Sequence, residues 1–309
     1  MPTYRCYELV LRSELELPEL EPDHLPTSRP DVTIELGPVG TRPASALELP
    51  WGLWRAGDTC GIDIPGVARY EVSRGQRIVV DVAPGADERE VRLYLLGTML
   101  GAILMQRGNL VLHGNAIRVG ESAAVVVGRS GSGKSTLAAE FARHEFDLLS
   151  DDVVPVDAEG RALPGYPRIK LWDDALESLG LQASGFERVI GKRAKYHVPI
   201  SRGRLEALPL RCVYVLETHA GAELRLRVAE GVDAFNLLHE HTYRRELIAD
   251  RLASAQHLEQ CARVVRQARV VRVIRPEATM TPASTATAIL ADIERHLAAA
   301  AHPQKGAHP

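Results

Sequence analysis

The chain has 309 residues, enough for one large core or for two domains of common size. Apolar residues make up 45% and charged residues 25%, and the net charge of −3 gives no general attraction to nucleic acid or membrane. Cys6, Cys60, Cys212 and Cys261 form no C-x-x-C pair, which argues against a zinc site or a disulfide framework. The first residues carry no apolar signal segment. We therefore expect a cytoplasmic protein that binds neither nucleic acid nor membrane.

The first 86 residues predict a small β-rich domain, because short apolar segments alternate with proline-rich loops. The predicted strands are Tyr4–Leu11, Val32–Leu36, Val67–Ser73 and Ile78–Val82. Residues 87–108 predict a helix that bridges to a second domain, since Asp87 begins an acidic first turn and Gly108 follows the last apolar turn. Leu110–His113 and Ala116–Val119 then predict two short strands.

The segment from Ala123 to Arg143 carries the clearest functional motif. Gly128–Ser135 reads G-x-x-x-x-G-K-S, follows the apolar run Ala123–Val127 and precedes the helix formers of Thr136–Arg143. A strand, a glycine loop and a helix in this order are typical of a phosphate-binding P-loop. We therefore predict an α/β domain that binds a nucleoside triphosphate.

Each residue type in the loop has a chemical reason to be there. The glycines let backbone amides turn toward phosphate oxygens, and the helix N-terminus adds partial positive charge. Lys134 is expected to reach the β- and γ-phosphates, and Ser135 is expected to offer its hydroxyl to Mg²⁺. The predicted nucleotide-binding residues are Gly128, Ser130, Gly131, Ser132, Gly133, Lys134, Ser135 and Thr136.

Two aspartates follow the P-loop helix. Asp151 and Asp152 lie 17 and 18 residues after Lys134, at the end of the apolar run Phe146–Asp152. A strand that ends in carboxylates beside a P-loop is where an NTPase places a metal ligand or a base. Such a pair can also form a turn, but the spacing favours the functional interpretation.

The order of these motifs resembles the HPr kinase/phosphorylase C-terminal family. In that family a His-Gly pair precedes the P-loop strand, and a helix leads from the loop to a strand that ends in Asp-Asp; here these are Leu112–Asn115, Gly128–Ser135 and Leu148–Asp152. Tyr166–Trp172 and the opening Tyr4–Glu19 resemble HPr-kinase-like proteins encoded with lasso-peptide biosynthesis. The chain contains no L-S-G-G-Q signature and no hhhh-D-E motif after the loop, which argues against a transporter ATPase.

The resemblance implies a HPr-kinase-like P-loop domain over residues 109–298, with a flexible tail over 299–309. It implies ATP and Mg²⁺ as cofactors, Asp152 as the base for an acceptor hydroxyl, and Asp151 as a residue that holds the metal or the base. It places His113 beside the reacting phosphate, although a buried strand histidine is the alternative. Thr136 stands where HPr kinases have glutamate, and their second signature is absent, which argues against HPr as the substrate.

The implied reaction is transfer of the γ-phosphoryl group of ATP to a serine hydroxyl of a lasso-type precursor peptide. Two alternatives stay open: a kinase for free serine or a sugar, and a nucleotide-switched binding protein with slow ATPase activity. An oligomer is compatible with the sequence. Two basic patches could bind a carboxylate or phosphate of the acceptor, or could be solvated: Lys192, Arg193 and Lys195, and Arg244 and Arg245.

The last third of the chain predicts a helix over Phe235–Arg251 and a terminal helix over Ser284–Ala298. Arginines recur every third residue between them, and interleaved valines suggest that these charges form one exposed face. The arginines in question are Arg263, Arg266, Arg269, Arg272 and Arg275.

Overall fold

The structure, a computed structural model, shows a mixed α/β protein. It describes residues 1–24, 29–144, 146–166, 168–172, 187–189, 195–199, 206–248, 251–277 and 281–301.

The N-terminal part forms a nine-stranded sheet with the strand order β3-β1-β2-β4-β9-β8-β7-β6-β5. Its strands are β1 (Thr3–Cys6), β2 (Leu9–Ser13), β3 (Glu21–Pro22), β4 (Val32–Leu36), β5 (Leu47–Glu48), β6 (Leu53–Ala56), β7 (Thr59–Ile64), β8 (Ala68–Ser73) and β9 (Arg77–Val82). The prediction of one strand over Tyr4–Leu11 is wrong. Tyr7 and Glu8 both adopt left-handed backbone angles, with φ of 54° and 60°, so the chain turns back and β1 pairs with β2 as a hairpin.

A helical segment packs on this sheet. It consists of α1 (Glu88–Tyr94), a π-helical turn (Leu95–Met99) and α2 (Leu100–Gln106). The side chain of Asp87 accepts a hydrogen bond from the amide of Arg89, which caps the first turn. The predicted helix is therefore confirmed, and its apolar side chains share one buried cluster with those of the N-terminal sheet.

The second sheet has seven strands in the order β11-β10-β12-β13-β17-β19-β18, and it closes on itself because β11 also pairs with β17. These strands are β10 (Leu110–Val119), β11 (Ser122–Gly128), β12 (Leu148–Val156), β13 (Arg161–Ala162), β17 (Leu208–His219), β18 (Arg225–Ala229) and β19 (Arg269–Pro276). A separate three-stranded sheet joins β14 (Arg168–Trp172), β15 (Glu187–Val189) and β16 (Lys195–Pro199). The two strands predicted over residues 110–119 are thus one continuous strand.

Helices cover both faces of the seven-stranded sheet. They are α3 (Lys134–Arg143), α4 (Gly231–Glu240), α5 (Arg251–Gln267) and α6 (Pro282–Ala301). α4 and α5 contribute to the apolar cluster on one face, and α3 and α6 contribute to the cluster on the other. Along β11, Val125 and Val127 belong to the first cluster whereas Ala124 and Val126 belong to the second, as expected of a strand that is buried on both sides.

The predicted helix over Phe235–Arg251 is wrong beyond Glu240. After that residue the backbone pairs with β10: the amide of His113 donates to the carbonyl of His241, and the amide of Tyr243 donates to the carbonyl of Val111, at 2.8 Å each. Because His241 and Tyr243 form these hydrogen bonds with β10, the helix does not continue through them. A short 3₁₀ turn (Arg245–Leu247) follows.

The terminal helix is confirmed and extends to Ala301, so residues 299–301 are helical rather than part of a flexible tail. The remaining residues of that tail, 302–309, lie outside the described residues.

The prediction that the five arginines form one exposed face is also wrong. Arg263 and Arg266 lie on α5, whereas the next three lie on β19, where a spacing of three residues alternates between the two faces.

Candidate functional site

β10 lies between the P-loop strand and the strand that carries the aspartates. Gly114 pairs with Val127 on one side and with Asp152 on the other. Because β10 is antiparallel to both neighbours, β11 and β12 run in the same direction. Neighbouring strands are about 4.8 Å apart, and β11 and β12 are separated by two such spacings. The Cα atoms of Asp152 and of Gly128, where the loop starts, are therefore roughly 10 Å apart.

Gly114 is required at this position by the close approach of β11. A Cβ atom on Gly114 would lie 2.2 Å from the carbonyl oxygen of Val126, a contact that backbone atoms cannot relieve without moving the strand. The glycine of the His-Gly pair therefore keeps the P-loop strand and its neighbour at their observed separation.

The loop itself adopts the conformation that its glycines predict. Gly131 and Gly133 have φ of 81° and 82°, which side chains with a Cβ rarely adopt. Gly133 is the N-cap of α3 and has no side chain to cap the helix, and the N-terminus of a helix favours an anion. Ser135 and Thr136 lie in that first turn.

Lys134 is buried at the start of α3, with 9% of its surface exposed. Its Nζ donates to the carbonyl oxygens of Gly128 at 2.7 Å and Arg129 at 3.2 Å. The ammonium group is thus held against the first residues of the loop that it is predicted to serve.

Asp152 has a strained backbone inside a strand. The prediction that the strand ends at the two aspartates is wrong. β12 continues to Val156, so Asp151 and Asp152 lie in the middle of the strand. Asp152 has φ of 71°. The hydroxyl of Ser150 donates across it to the carbonyl of Val153 at 2.5 Å. A left-handed non-glycine residue costs on the order of 1–3 kcal/mol, and such residues cluster at functional sites.

His113 and Asp152 are brought together across β10 and β12. The Nδ1 atom of His113 lies 3.3 Å from Oδ1 of Asp152 and 3.1 Å from its carbonyl oxygen. About one third of the His113 side chain and one quarter of the Asp152 side chain are exposed. His113 is therefore not a fully buried strand histidine.

Asp151 is buried beside Asn115, its register partner on β10. The Nδ2 atom of Asn115 donates to Oδ1 of Asp151, and the buried Oδ1 of Asn115 has no hydrogen-bond partner among the described residues. Carboxylate and hydroxyl oxygens are ligands of the chemical type that Mg²⁺ prefers, so Asp151 and Ser135 are candidates to hold this ion, and Asn115 orients the Asp151 carboxylate.

A cleft of about 460 Å³ opens between the loop and the segment that follows α4. From the loop and its neighbouring strands it is lined by His113, Gly128, Arg129, Ser130 and Asp152. The segment from Glu240 to Glu246 forms the opposite wall.

The opposite wall is fixed by aromatic contacts. The Tyr243 ring lies 5.7 Å from the His113 ring, and a Cβ on Gly101 of α2 would come within 3.0 Å of Tyr243. Arg244 has a left-handed backbone, with φ of 45°, and its guanidinium lies over the Tyr243 ring at 5.6 Å. The buried Nε atom of Arg244 has no hydrogen-bond partner among the residues that the structure describes.

Charges also cross the cleft. Arg129 of the loop forms an ion pair with Glu240 at 3.0 Å, and the neighbouring arginine lowers the pKa of Glu240 mainly through that hydrogen bond. His241 is buried, and desolvation lowers its pKa to about 4, with Lys134 and His113 adding to the shift. His241 is therefore neutral at pH 7.

Three residues make contacts, with Asp151 or with the loop, that the sequence does not indicate. Asn115 was visible only as the third residue of a His-Gly-Asn run, and Glu240 lay inside a predicted helix. Arg275 belonged to a regular run of arginines that suggested a solvated face. Its Nη2 atom donates to the carbonyl oxygen of Ser132 in the loop.

The two basic patches differ in what the structure says of them. Arg244 and Arg245 line the cleft together with His113 and Asp152. Lys192 and Arg193 lie outside the described residues, and Lys195 is described only as the first residue of β16.

The described residues contain no cluster of three or more histidine, cysteine, aspartate or glutamate side chains with the geometry of a metal site. Within the same residues, no helix combines the length and the apolar character needed to cross a membrane.

No protein-family model and no curated protein matches the chain. Among solved structures, the Hpr(Ser) kinase/phosphatase from Coxiella burnetii is similar over 60% of this chain and 98% of its own length. The sequence identity is 10% and the TM-score is 0.32. A TM-score of 0.32 is too low for the likeness to define the fold or the activity of this chain.

Proposed function

We propose that the protein is an ATP- and Mg²⁺-dependent kinase of the HPr-kinase-like type that transfers the γ-phosphoryl group to a serine hydroxyl of a lasso-type precursor peptide. One observation carries the proposal: Asp152, strained and paired with His113, opens into the same cleft as Gly128 and Ser130 of the loop. A loop that binds phosphate and a carboxylate that can accept a proton are the two parts that phosphoryl transfer requires.

The chemistry divides between these parts. The acceptor oxygen attacks the γ-phosphorus, the bond from that phosphorus to the bridging oxygen breaks, and ADP leaves. Asp152 accepts the proton of the attacking hydroxyl, and His113 orients the carboxylate through Nδ1. Lys134 and the amides at the start of α3 neutralise the phosphate charge, and Mg²⁺ bound by Ser135 and Asp151 adds charge neutralisation when present.

The far wall of the cleft supports a peptide acceptor with an anionic group near its hydroxyl. The guanidinium of Arg244 lies over the Tyr243 ring. Its Nε atom has no hydrogen-bond partner among the residues that the structure describes. Arg245 lies beside it and is exposed. A guanidinium binds a carboxylate through two parallel hydrogen bonds, so a C-terminal serine would present both its hydroxyl and its carboxylate to this cleft.

One observation favours a nucleotide switch as a second candidate. The Arg129–Glu240 ion pair joins the loop to the opposite wall, so nucleotide binding at the loop could change how the two walls meet. Such a protein would hydrolyse ATP slowly and phosphorylate no acceptor.

The test is transfer from γ-labelled ATP to three acceptors: a peptide with a free C-terminal serine, the same peptide as its amide, and free serine. The proposal expects label in the first peptide, less in the amide and least in free serine. Transfer to free serine or a sugar alone would favour a small-molecule kinase. Nucleotide binding without labelling of any acceptor would favour the switch.

A further inference from the structure

The C-terminal ends of three parallel strands meet at the loop. Gly128 of β11 is level with Leu216 of β17, which is level with Val273 of β19. Arg275 lies two residues further along β19, level with Thr218 of β17 and past the last paired residue of β11, at the height of the loop.

Arg275 contacts the loop at Ser132 and Gly133. Its Nη2 donates to the carbonyl of Ser132, and a Cβ on Gly133 would lie 3.3 Å from Nη2 and 3.6 Å from Nη1. Gly133 therefore meets two needs at once: it adopts a left-handed backbone and it leaves space for the guanidinium.

The charge of Arg275 is not balanced in the way that its neighbours are. Arg269 pairs with Asp292 at 2.5 Å, and Arg272 pairs with Asp233 at 2.5 Å. Within the described part of the chain, Arg275 has no carboxylate within ion-pair distance, and its buried Nε has no hydrogen-bond partner.

A desolvated cation without a counter-ion is costly in a protein, and burial lowers the pKa of Arg275. A guanidinium has five N–H donors, of which the loop carbonyl uses one. Beside it, Gly133 caps α3 without a side-chain hydrogen bond, and the N-terminus of a helix favours an anion. The guanidinium and the helix N-terminus therefore favour an anion at the same end of the loop.

We propose that Arg275 is a second cationic ligand of the nucleotide's phosphate chain, bound to the loop through Ser132 and directed at an anion that lies against Ser132 and Gly133. This inference rests on the proposed nucleotide site and adds a residue to it. Lys134 binds the phosphates from the start of α3, and Arg275 binds them from the end of β19.

Arg275→Met, compared with Arg269→Met as a matched control, tests the inference. The control removes an arginine of the same strand that is paired with Asp292 and lies at the far end of β19 from the loop. Binding of Mg·ADP and of inorganic tripolyphosphate is measured by calorimetry, and the melting temperature is measured without ligand.

We expect Arg275→Met to weaken both ligands by about 10- to 100-fold, the effect of losing one charge-assisted hydrogen bond, without lowering the ligand-free melting temperature. Arg269→Met should keep both affinities and lower the melting temperature, because it removes the nearest cation from the buried carboxylate of Asp292. Arg275→Lys, which keeps the cation, should recover most of the lost affinity.

Three results would overturn the inference: unchanged affinities in Arg275→Met, affinities lost together with a lower ligand-free melting temperature, or no recovery in Arg275→Lys. The second result would make Arg275 a brace of the loop. If the wild-type protein binds neither ligand, the proposed function itself is wrong, and the inference falls with it.

Discussion

The two large sheets place their strained backbone residues differently. In the N-terminal sheet, left-handed non-glycine residues such as Tyr7, Glu8 and Arg74 lie in the turns that join strands. In the P-loop part, Asp152 lies inside β12 and Arg244 lies on the wall of the cleft. A left-handed residue in a turn reverses the direction of the chain. A left-handed residue within a strand or at a cleft sets the direction of its side chain, and such residues cluster at functional sites.

The buried titratable groups differ in the same way. In the N-terminal part, burial raises the pKa of Cys60 to about 12 and raises that of Tyr70, so neither group changes charge near neutral pH. In the P-loop part, burial lowers the pKa of His241 and of His257 to about 4. Sensitivity to acid therefore belongs to the part of the molecule that contains the seven-stranded sheet.

The largest expected effect comes from removing the cation of the loop. Lys134→Ala should reduce phosphoryl transfer by at least about 10³-fold, because Lys134 supplies the preorganised side-chain charge that the loop itself places on the phosphates. Arg143→Ala, at the exposed end of the same helix, should leave transfer unchanged. Wild-type turnover in Lys134→Ala with an unchanged melting curve would show that the loop is not the phosphate site.

The second prediction concerns pH. Between pH 6.5 and pH 4 the unfolded chain binds protons at His241 and His257 that the folded protein excludes, so stability falls as the pH falls. At pH 5 each histidine should cost about 2 kcal/mol relative to pH 7. His257→Gln should remove roughly half of the fall in the free energy of unfolding measured in urea.

His24→Gln is the control, since the His24 side chain is exposed. It should leave the fall between pH 7 and pH 5 as it is in the wild type. An identical fall in His257→Gln would show that acid sensitivity does not come from the buried histidines.

The smallest expected effect compares one strained residue from each region. Asp152→Gly and Arg74→Gly should each raise the free energy of unfolding by up to about 1 kcal/mol, because glycine accepts a positive φ. The two variants should differ in activity: transfer is lost in Asp152→Gly and retained in Arg74→Gly. If both keep full transfer, the strain at Asp152 serves only the fold.

The sequence predicted those parts of the molecule that local chemistry determines. The helix after Asp87 followed from its N-cap, and the left-handed glycines of the Gly128–Ser135 loop and the strand before it followed from the motif. The buried run Ala123–Val127 needed no tertiary information, since a strand that is apolar on both faces is typical of the interior of such a sheet.

The remaining features depend on contacts between distant segments. α4 ends at Glu240 because residues near His241 pair with β10, a partner more than a hundred positions earlier. Arg275 followed a regular spacing, but the step from helix to strand at Ala268 changed the face on which that spacing places a side chain. The strain at Asp152 depends on its position between neighbouring strands, and no residue pattern signals it.

The most direct test of the central claim measures Mg·ATP affinity and phosphopeptide formation in Asp152→Asn and Asp151→Asn. If Asp152 is the base, its variant keeps the affinity and loses about 10²–10⁴-fold in transfer. Asp151→Asn should instead weaken Mg²⁺-dependent binding of the nucleotide. If Asp151→Asn alone impairs transfer, the two roles are exchanged, and wild-type affinity and transfer in both variants would contradict the kinase account.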